Sequence, residues 1–537
     1  MKKMLLLVFI LGVNSLIFGQ LLNPTASYDL SLQETNGTTN QLFGETVINA
    51  GDVNKDGFND LFVSAPGYDN NKGRCYLYYG GSAMDNVADK IFTGETMGDN
   101  FGCSISAGDF NNDGYADLLI GASNTNSTGA AYLYLGGSDM DVTSDAVFTG
   151  LGSGDTFGYS VAFAGDLNGD SCNDIIISAP NVLININVYD INSGSCYIFY
   201  GGTTLDNIAD VELSGNYSGI YLFGFNVAPA GDVNNDGFAD VIISEKLAIM
   251  SENCVVFYGG ANMDNIVDYE FCGSECEGFG SSISCLGDIN NDSKKDIVIG
   301  ASDFNFSKGF ICAFYGDSNV DGVRDLIVEG AEKFSSFGKK ATTTCDINND
   351  GYDDIIVGAE SDSNFLSFNV KGSCYVYYGG TEIASTPSLS FKDNLLNTYF
   401  GCSVVGVDLN NDGYGEVVVG AKNPTGDGVV YIYGLINRIS DVENEENLGV
   451  KDYLLQQNYP NPFNPSTKIS FNLPDAGFVS LAIYNMLGQT VKVLINEDLP
   501  QGNHEVVFNS MDLSSGTYIY TLTYNGKQLS NKMMLLK

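Results

Sequence analysis

Tryptophan is absent from this chain of 537 residues, and histidine occurs once, at His504. A single imidazole excludes any catalytic scheme in the main body that needs a histidine base, including a serine–histidine–aspartate triad. Basic residues are scarce: 24 Lys and Arg stand against 66 Asp and Glu, a formal charge of -42. A surface of that sign repels phosphate backbones and anionic lipid, which argues against nucleic-acid or membrane-surface partners. Long apolar runs are missing too. After the amino terminus nothing approaches the roughly 18 residues of a membrane-crossing helix, so no transmembrane span is expected. Helical periodicity is likewise lacking. Apolar residues still make up 44% of the chain, which excludes wholesale disorder.

The first nineteen residues, MKKMLLLVFILGVNSLIFG, join two lysines to a short apolar stretch and a small residue, Gly19. That is the pattern of an export signal over residues 1–19, too short in its apolar part to span a bilayer. Export raises the question of the twelve cysteines. Cys75, Cys196, Cys254, Cys312 and Cys374 share one position of a repeat that elsewhere carries Ala131 and Val430. A position that accepts Cys, Ala or Val is a small apolar packing site, and free thiols are expected there. Cys272 and Cys276 are close enough in sequence to pair.

Repeats decide the fold. Phe-Gly recurs at Phe43, Phe101, Phe157, Phe223, Phe279, Phe337 and Phe400, and an acidic loop follows eight or nine residues later each time. Successive loops are spaced by 57, 57, 66, 56, 58 and 62 residues. Each unit then shows a β-branched run, a polar loop, an aromatic strand such as CYVYYGG (374–380), and a short returning segment. Four strands per unit, repeated radially, are the blades of a β-propeller. The seventh unit lacks its fourth strand, whereas the segment 27–32 precedes the first Phe-Gly as an orphan strand. If that strand completes the last blade, the ring closes on itself. The expected fold is therefore all-β: a seven-bladed propeller over 20–436, a polar linker at 437–450 and a small carboxy-terminal β-sandwich at 451–537.

The acidic loops share Asp-x-Asn-x-Asp-(Gly/Ser)-x-x-(Asp/Glu). They are Asp52, Asn54, Asp56, Asp60; Asp109, Asn111, Asp113, Asp117; Asp166, Asn168, Asp170, Asp174; and Asp232, Asn234, Asp236, Asp240. The remaining three are Asp288, Asn290, Asp292, Asp296; Asp346, Asn348, Asp350, Asp354; and Asp408, Asn410, Asp412, Glu416. Oxygen donors alone, six or more of them, suit calcium, while zinc and copper would call for sulfur or nitrogen. An EF-hand would need a bidentate Glu at position 12, where Val63, Ile120, Ile177 and Ile243 stand instead. Up to seven structural calcium ions are expected, each tying the first two strands of a blade.

At these residues the chain resembles the FG-GAP repeat family, which forms the propeller head of integrin alpha subunits. The resemblance covers roughly 24–436 and implies the propeller, the calcium and, by analogy, adhesion. The tail resembles the carboxy-terminal sorting domain of type IX secretion. The matching pieces are Asn458-Tyr459-Pro460-Asn461-Pro462-Phe463, Leu487-Gly488-Gln489, Leu513-Ser514-Ser515-Gly516-Thr517-Tyr518 and the terminal Lys532–Lys537. That resemblance implies recognition by the type IX machinery and a mature protein that is secreted or held at the outer cell surface.

Ligand contacts are expected on the rim opposite the acidic loops. The longest connections there are 181–193 and 361–371, with Tyr189, Asp190, Phe365 and Phe368 as candidate contacts. No catalytic constellation is visible. The expected function is an extracellular adhesion or recognition module for an unidentified protein or glycan. A structural spacer and a polysaccharide-degrading enzyme on the same scaffold are the alternatives.

Overall fold

The computed structural model describes residues 28–33, 41–186, 189–215, 221–247, 252–272, 277–285, 287–316, 322–361, 372–393, 398–423, 428–435, 454–455, 458, 463–473, 476–485, 489–500, 502–510, 513–524 and 527–535. The export signal, the linker, Cys276, Phe365 and Phe368 lie outside the described residues. The chain divides into two units, residues 1–438 and 439–537.

The first unit holds seven four-stranded antiparallel sheets. Blade one runs Val47–Gly51, Asp60–Ala65, Arg74–Tyr78, Lys90–Thr93, each strand beside the next. Blades two to six repeat this order, their first strands being Phe101–Gly108, Val161–Gly165, Tyr221–Gly231, Phe279–Ser284 and Lys340–Cys345. Blade seven has Phe400–Val407, Glu416–Ala421 and Val429–Tyr433, and its fourth place is taken by Leu30–Leu32. That strand pairs antiparallel with the third, Leu30 opposite Ile432 and Leu32 opposite Val430. First strands of neighbouring blades touch all the way round, including those of blades seven and one. The sheets therefore form a closed β-propeller.

Packing explains the repeat. The second strand of a blade is buried along its whole length in blades one, two, three, five, six and seven, because blades cover both of its faces. One apolar cluster spans each blade junction: Phe62, Cys75 and Phe92 of blade one meet Phe101, Ile120 and Tyr132 of blade two. Another joins Leu32, Val405 and Ile432 of blade seven to Phe43, Val47 and Leu61 of blade one. Each wholly buried phenylalanine contributes about 1.5–3 kcal/mol. The glycine of Phe-Gly allows the close approach of blades. At Gly102 the backbone is left-handed (φ 85°), and a Cβ would lie 2.8 Å from Cys75 Sγ of the preceding blade. Gly224 and Gly280 stand in the same way against Cys196 and Cys254. The recurrent cysteine is thus the small residue facing the recurrent glycine. Among the described residues ten cysteines are free thiols, including Cys75, Cys196, Cys254, Cys312 and Cys374, all five buried. Burial pushes the thiols of Cys75, Cys196, Cys254 and Cys374 above the usual range.

One expected loop has regular structure. Residues 181–193 contain an antiparallel hairpin, Leu183–Ile186 against Tyr189–Asn192, with Tyr189 opposite Ile186 and Asp190 opposite Asn185. The alternation of Leu183-Ile184-Asn185-Ile186 supports strand pairing over an open loop.

The second unit has a three-stranded sheet, Leu454–Leu455, Ser466–Leu473 and Gly502–Asn509. Its four-stranded sheet runs Thr490–Leu499, Gly477–Asn485, Gly516–Tyr524, Lys527–Leu535. Residues of both sheets, such as Ile469 and Phe471 from one and Leu481 and Tyr520 from the other, share a single core. Several tail-motif residues build it. The Asn458 backbone N–H donates to Tyr520 Oη at 2.8 Å, Phe463 is buried in the core, and Tyr518 Oη donates to the Ser514 carbonyl at 2.9 Å.

Candidate metal centres

All seven acidic loops connect the first and second strands of their blades, so they lie at one end of the ring. Each folds in the same way. The aspartate at position one accepts from the backbone N–H of position five at 3.0–3.2 Å and of position six at 2.7–2.9 Å. The asparagine at position three accepts from position five, and the aspartate at position five accepts from position seven. Position six must be left-handed: Gly57, Gly114, Gly237, Gly351 and Gly413 have φ between 81° and 94°. Ser171 and Ser293 hold the same turn at φ 75° and 70°, a strain of about 1–2 kcal/mol that a glycine avoids.

Position nine behaves differently from positions one, three and five. Asp60 is wholly buried; its Oδ2 accepts from Val53 N–H at 2.9 Å and its Oδ1 from Gly80 N–H at 2.9 Å. Asp117, Asp174, Asp240, Asp296 and Asp354 repeat both contacts. This carboxylate ties the loop to a glycine two residues beyond the third strand, Gly80 in blade one and Gly136 in blade two. Gly80 accommodates it because a Cβ there would fall 2.0 Å from the Asn59 carbonyl oxygen. Burial pushes Asp60, Asp117, Asp174 and Asp240 up to about 7, against the lowering effect of the two amides, and the aspartates at positions five and one raise them further. Asp354 rises to about 8 and Asp296 to about 6 from the same causes.

Blade seven departs from this pattern. Glu416 Oε2 accepts from Leu409 N–H at 2.7 Å, while Oε1 turns into the loop and accepts from Asn410 Nδ2 at 3.1 Å. Its extra methylene brings Asp408, Asp412 and Glu416 oxygens within 4.8 Å of one another, the one such three-acid group among the described residues. In the other six loops the asparagine amide instead donates to the position-five carboxylate at 2.9–3.1 Å, as Asn54 does to Asp56. The donor set fits a hard cation throughout: clustered carboxylate and amide oxygens, without sulfur or nitrogen ligands.

Of the expected ligand contacts, Tyr189 and Asp190 lie on the blade-three hairpin described above. The sequence reading passed over Glu245. It stands where the other six repeats have Ala65, Ala122, Ala179, Ala301, Ala359 and Ala421, and aligning the repeats was the signal that could have found it.

An all-β propeller with a repeated acidic loop defines the class, and the comparisons agree. Family models for the FG-GAP-like repeat match residues 52–120, and for the FG-GAP repeat residues 157–191, 337–377 and 400–433. The secretion system C-terminal sorting domain matches residues 457–536. The chain thus carries FG-GAP repeats followed by a sorting domain that marks it for export and attachment at the cell surface by type IX secretion. Among curated relatives, integrin alpha-7 of Mus musculus is 30% identical over 34% of this chain and 15% of its own length. Integrin alpha-5 of Xenopus laevis is 28% identical over 45% of this chain and 24% of its own. Phosphatidylinositol-glycan-specific phospholipase D of Bos taurus is 35% identical over 29% of this chain and 20% of its own. The chain thus matches no more than about a quarter of the length of these relatives. Among solved structures, PorZ, a surface component of the type IX secretion system of Porphyromonas gingivalis, aligns over 89% of this chain and 58% of its own, at 12% identity and TM-score 0.37. No helix among the described residues is long and apolar enough to cross a membrane.

Proposed function

We propose that the chain is an exported, calcium-stabilised β-propeller that acts as an adhesion or recognition module at the cell surface. The observation that carries the calcium reading is the sevenfold recurrence of one preorganised acidic loop. Positions one, three and five of each loop, Asp52, Asn54 and Asp56 in blade one, would hold the ion. Glu416 would join Asp408 and Asp412 in blade seven. In the other blades the position-nine aspartate supports the loop from beneath. Calcium supplies positive charge among carboxylates that otherwise repel, and so crosslinks the first two strands of a blade. Swinging the asparagine amide would present its carbonyl oxygen in place of its NH2 group.

The domain division follows the same reading: signal at 1–19, propeller to 436, linker at 437–450, sorting domain from 451 engaging the secretion machinery. The named integrin relatives favour recognition over turnover. The test is an array of glycans and matrix proteins probed with the full chain in calcium and in chelator. A discrete hit lost on chelation is the expected result. A folded protein with no hit refutes recognition of the arrayed ligand classes and moves the reading to the spacer.

A further inference from the structure

A cavity of about 310 Å³ opens on the end of the ring opposite the acidic loops, across blades four, five and six. Its walls include Phe225, Glu245, Lys246, Glu252, Asp303 and Lys339. Glu245 is 2% exposed, and its Oε2 has no hydrogen-bond partner. A buried carboxylate oxygen without a partner costs free energy, which a group from outside the fold would recover on binding.

The two lysines of the cavity do not fill this role. Lys339 pairs with Glu360, and the Lys246 ammonium sits 4.7 Å over the Phe225 ring and attracts Glu252. Three acids against two committed lysines leave the walls acidic. A metal ion is not the fit, because the one tight three-acid group among the described residues is in blade seven. A small group with N–H donors would satisfy the oxygen, and the acidic walls favour a positive charge on it. The half-exposed Phe225, tilted by 41° against Tyr159 with ring centroids 5.6 Å apart, gives the cavity an apolar aromatic wall that suits the carbon skeleton of such a ligand. The volume stands at the lower end of small-ligand sites.

We infer that this cavity is a binding site for a protonated primary amine, anchored by Glu245. The amine could belong to a lysine side chain or to an amino sugar. The inference adds a ligand class to the recognition reading but does not depend on calcium.

The test measures binding to the full chain of n-butylammonium and D-glucosamine, with n-butanol and D-glucose as uncharged counterparts, by saturation-transfer NMR. At least one amine should bind about tenfold more tightly than its counterpart, a 1.4 kcal/mol preference. Butylammonium alone would identify a lysine source and glucosamine alone an amino sugar. Glu245→Gln and Glu245→Ala should both abolish the preference, and Ala is the residue of the other six repeats, so folding is retained. Absence of amine binding up to about 10 mM, or an unchanged preference in Glu245→Gln, overturns the inference. A negative array with a positive amine result would sink recognition of the arrayed ligands and leave this site standing.

Discussion

Replacing Glu245 by alanine should stabilise the propeller at alkaline pH. Burial first, and the charge of Glu270 second, push the Glu245 carboxyl from 4.5 up to about 7. The other titratable groups coupled to it are the thiols of Cys196 and Cys254, on strands Ser195–Phe199 and Glu252–Phe257. The sign follows from linkage. Between pH 4.5 and 7 the folded chain keeps a proton that the unfolded chain has released. Stability is therefore fully present below the unfolded value and is lost as pH rises through the folded one. A shift of this size amounts to about 3 kcal/mol at pH 8. Alanine removes the titration and restores the side chain found at Ala122 and Ala301, each wholly buried in its own blade. For a unit of this length, about 3 kcal/mol corresponds to roughly 3–4 °C in Tm. Thermal unfolding of wild type and Glu245→Ala at pH 8 and pH 5 provides the assay. The variant should gain at pH 8 and gain much less at pH 5. An equal loss of Tm at both values would show that Glu245 has a partner in the folded chain, and the reasoning would be refuted.

Chelation should lower Tm by many degrees, since each site held a hundredfold above its Kd contributes about 2.7 kcal/mol; elemental analysis of the calcium-loaded chain should find up to seven ions. Asp117→Asn should cost about 1–3 kcal/mol even in chelator, because an amide sets an N–H against the Phe110 or Gly136 N–H; Asp113→Asn should act mainly through calcium, and denaturation with and without the ion separates the two. Gly102→Ala should destabilise by about 1–3 kcal/mol, and Cys75→Ala in the same chain should recover part of it, which a double-mutant cycle reads directly. Lys422 stands 2.9 Å from Glu45 and 3.5 Å from the buried Glu360, so Lys422→Met should cost about 3–5 kcal/mol by stranding those acids, and adding Glu360→Gln should restore part of the Tm.

What could be read from the sequence was whatever repeats. Phe-Gly and the acidic loops recur at nearly constant spacing because each blade solves the same packing problem, and so the blades and loops were legible. The role of position nine was not. Spacing says that Asp60 follows Asp56 by four residues, but only the contacts of Asp60 with Val53 and Gly80 show that it turns inward. The Gly-Gly after the third strand was visible as a turn, not as the amide donor it proves to be. Glu416 carried a readable sign in its extra methylene, whose consequence depends on where Asp408 and Asp412 stand. The hairpin at 183–192 was passed over because its position in the blade suggested a connection, although its apolar residues alternate as a strand's do.

The two ends of the ring differ in a way that bears on function. At one end nearly the same loop is written seven times, and sites so alike distinguish poorly between one part of a ligand and another. On the proposed reading, calcium there would belong to the scaffold. At the other end the column that follows the second strand changes from blade to blade: Pro66, Ser123, Pro180, Lys246, Ser302, Glu360 and Lys422. Some of that variety is consumed internally, since Lys422 and Glu360 pair with each other and with Glu45 and Lys339. In blade four the break lies one residue earlier and is not consumed. Glu245 interrupts the alanine column and Lys246 follows it directly, on the wall of a cavity with an unmatched carboxylate. Specific recognition requires asymmetry, and in a ring of near-identical blades it must reside where one blade breaks the pattern and leaves the break unsatisfied.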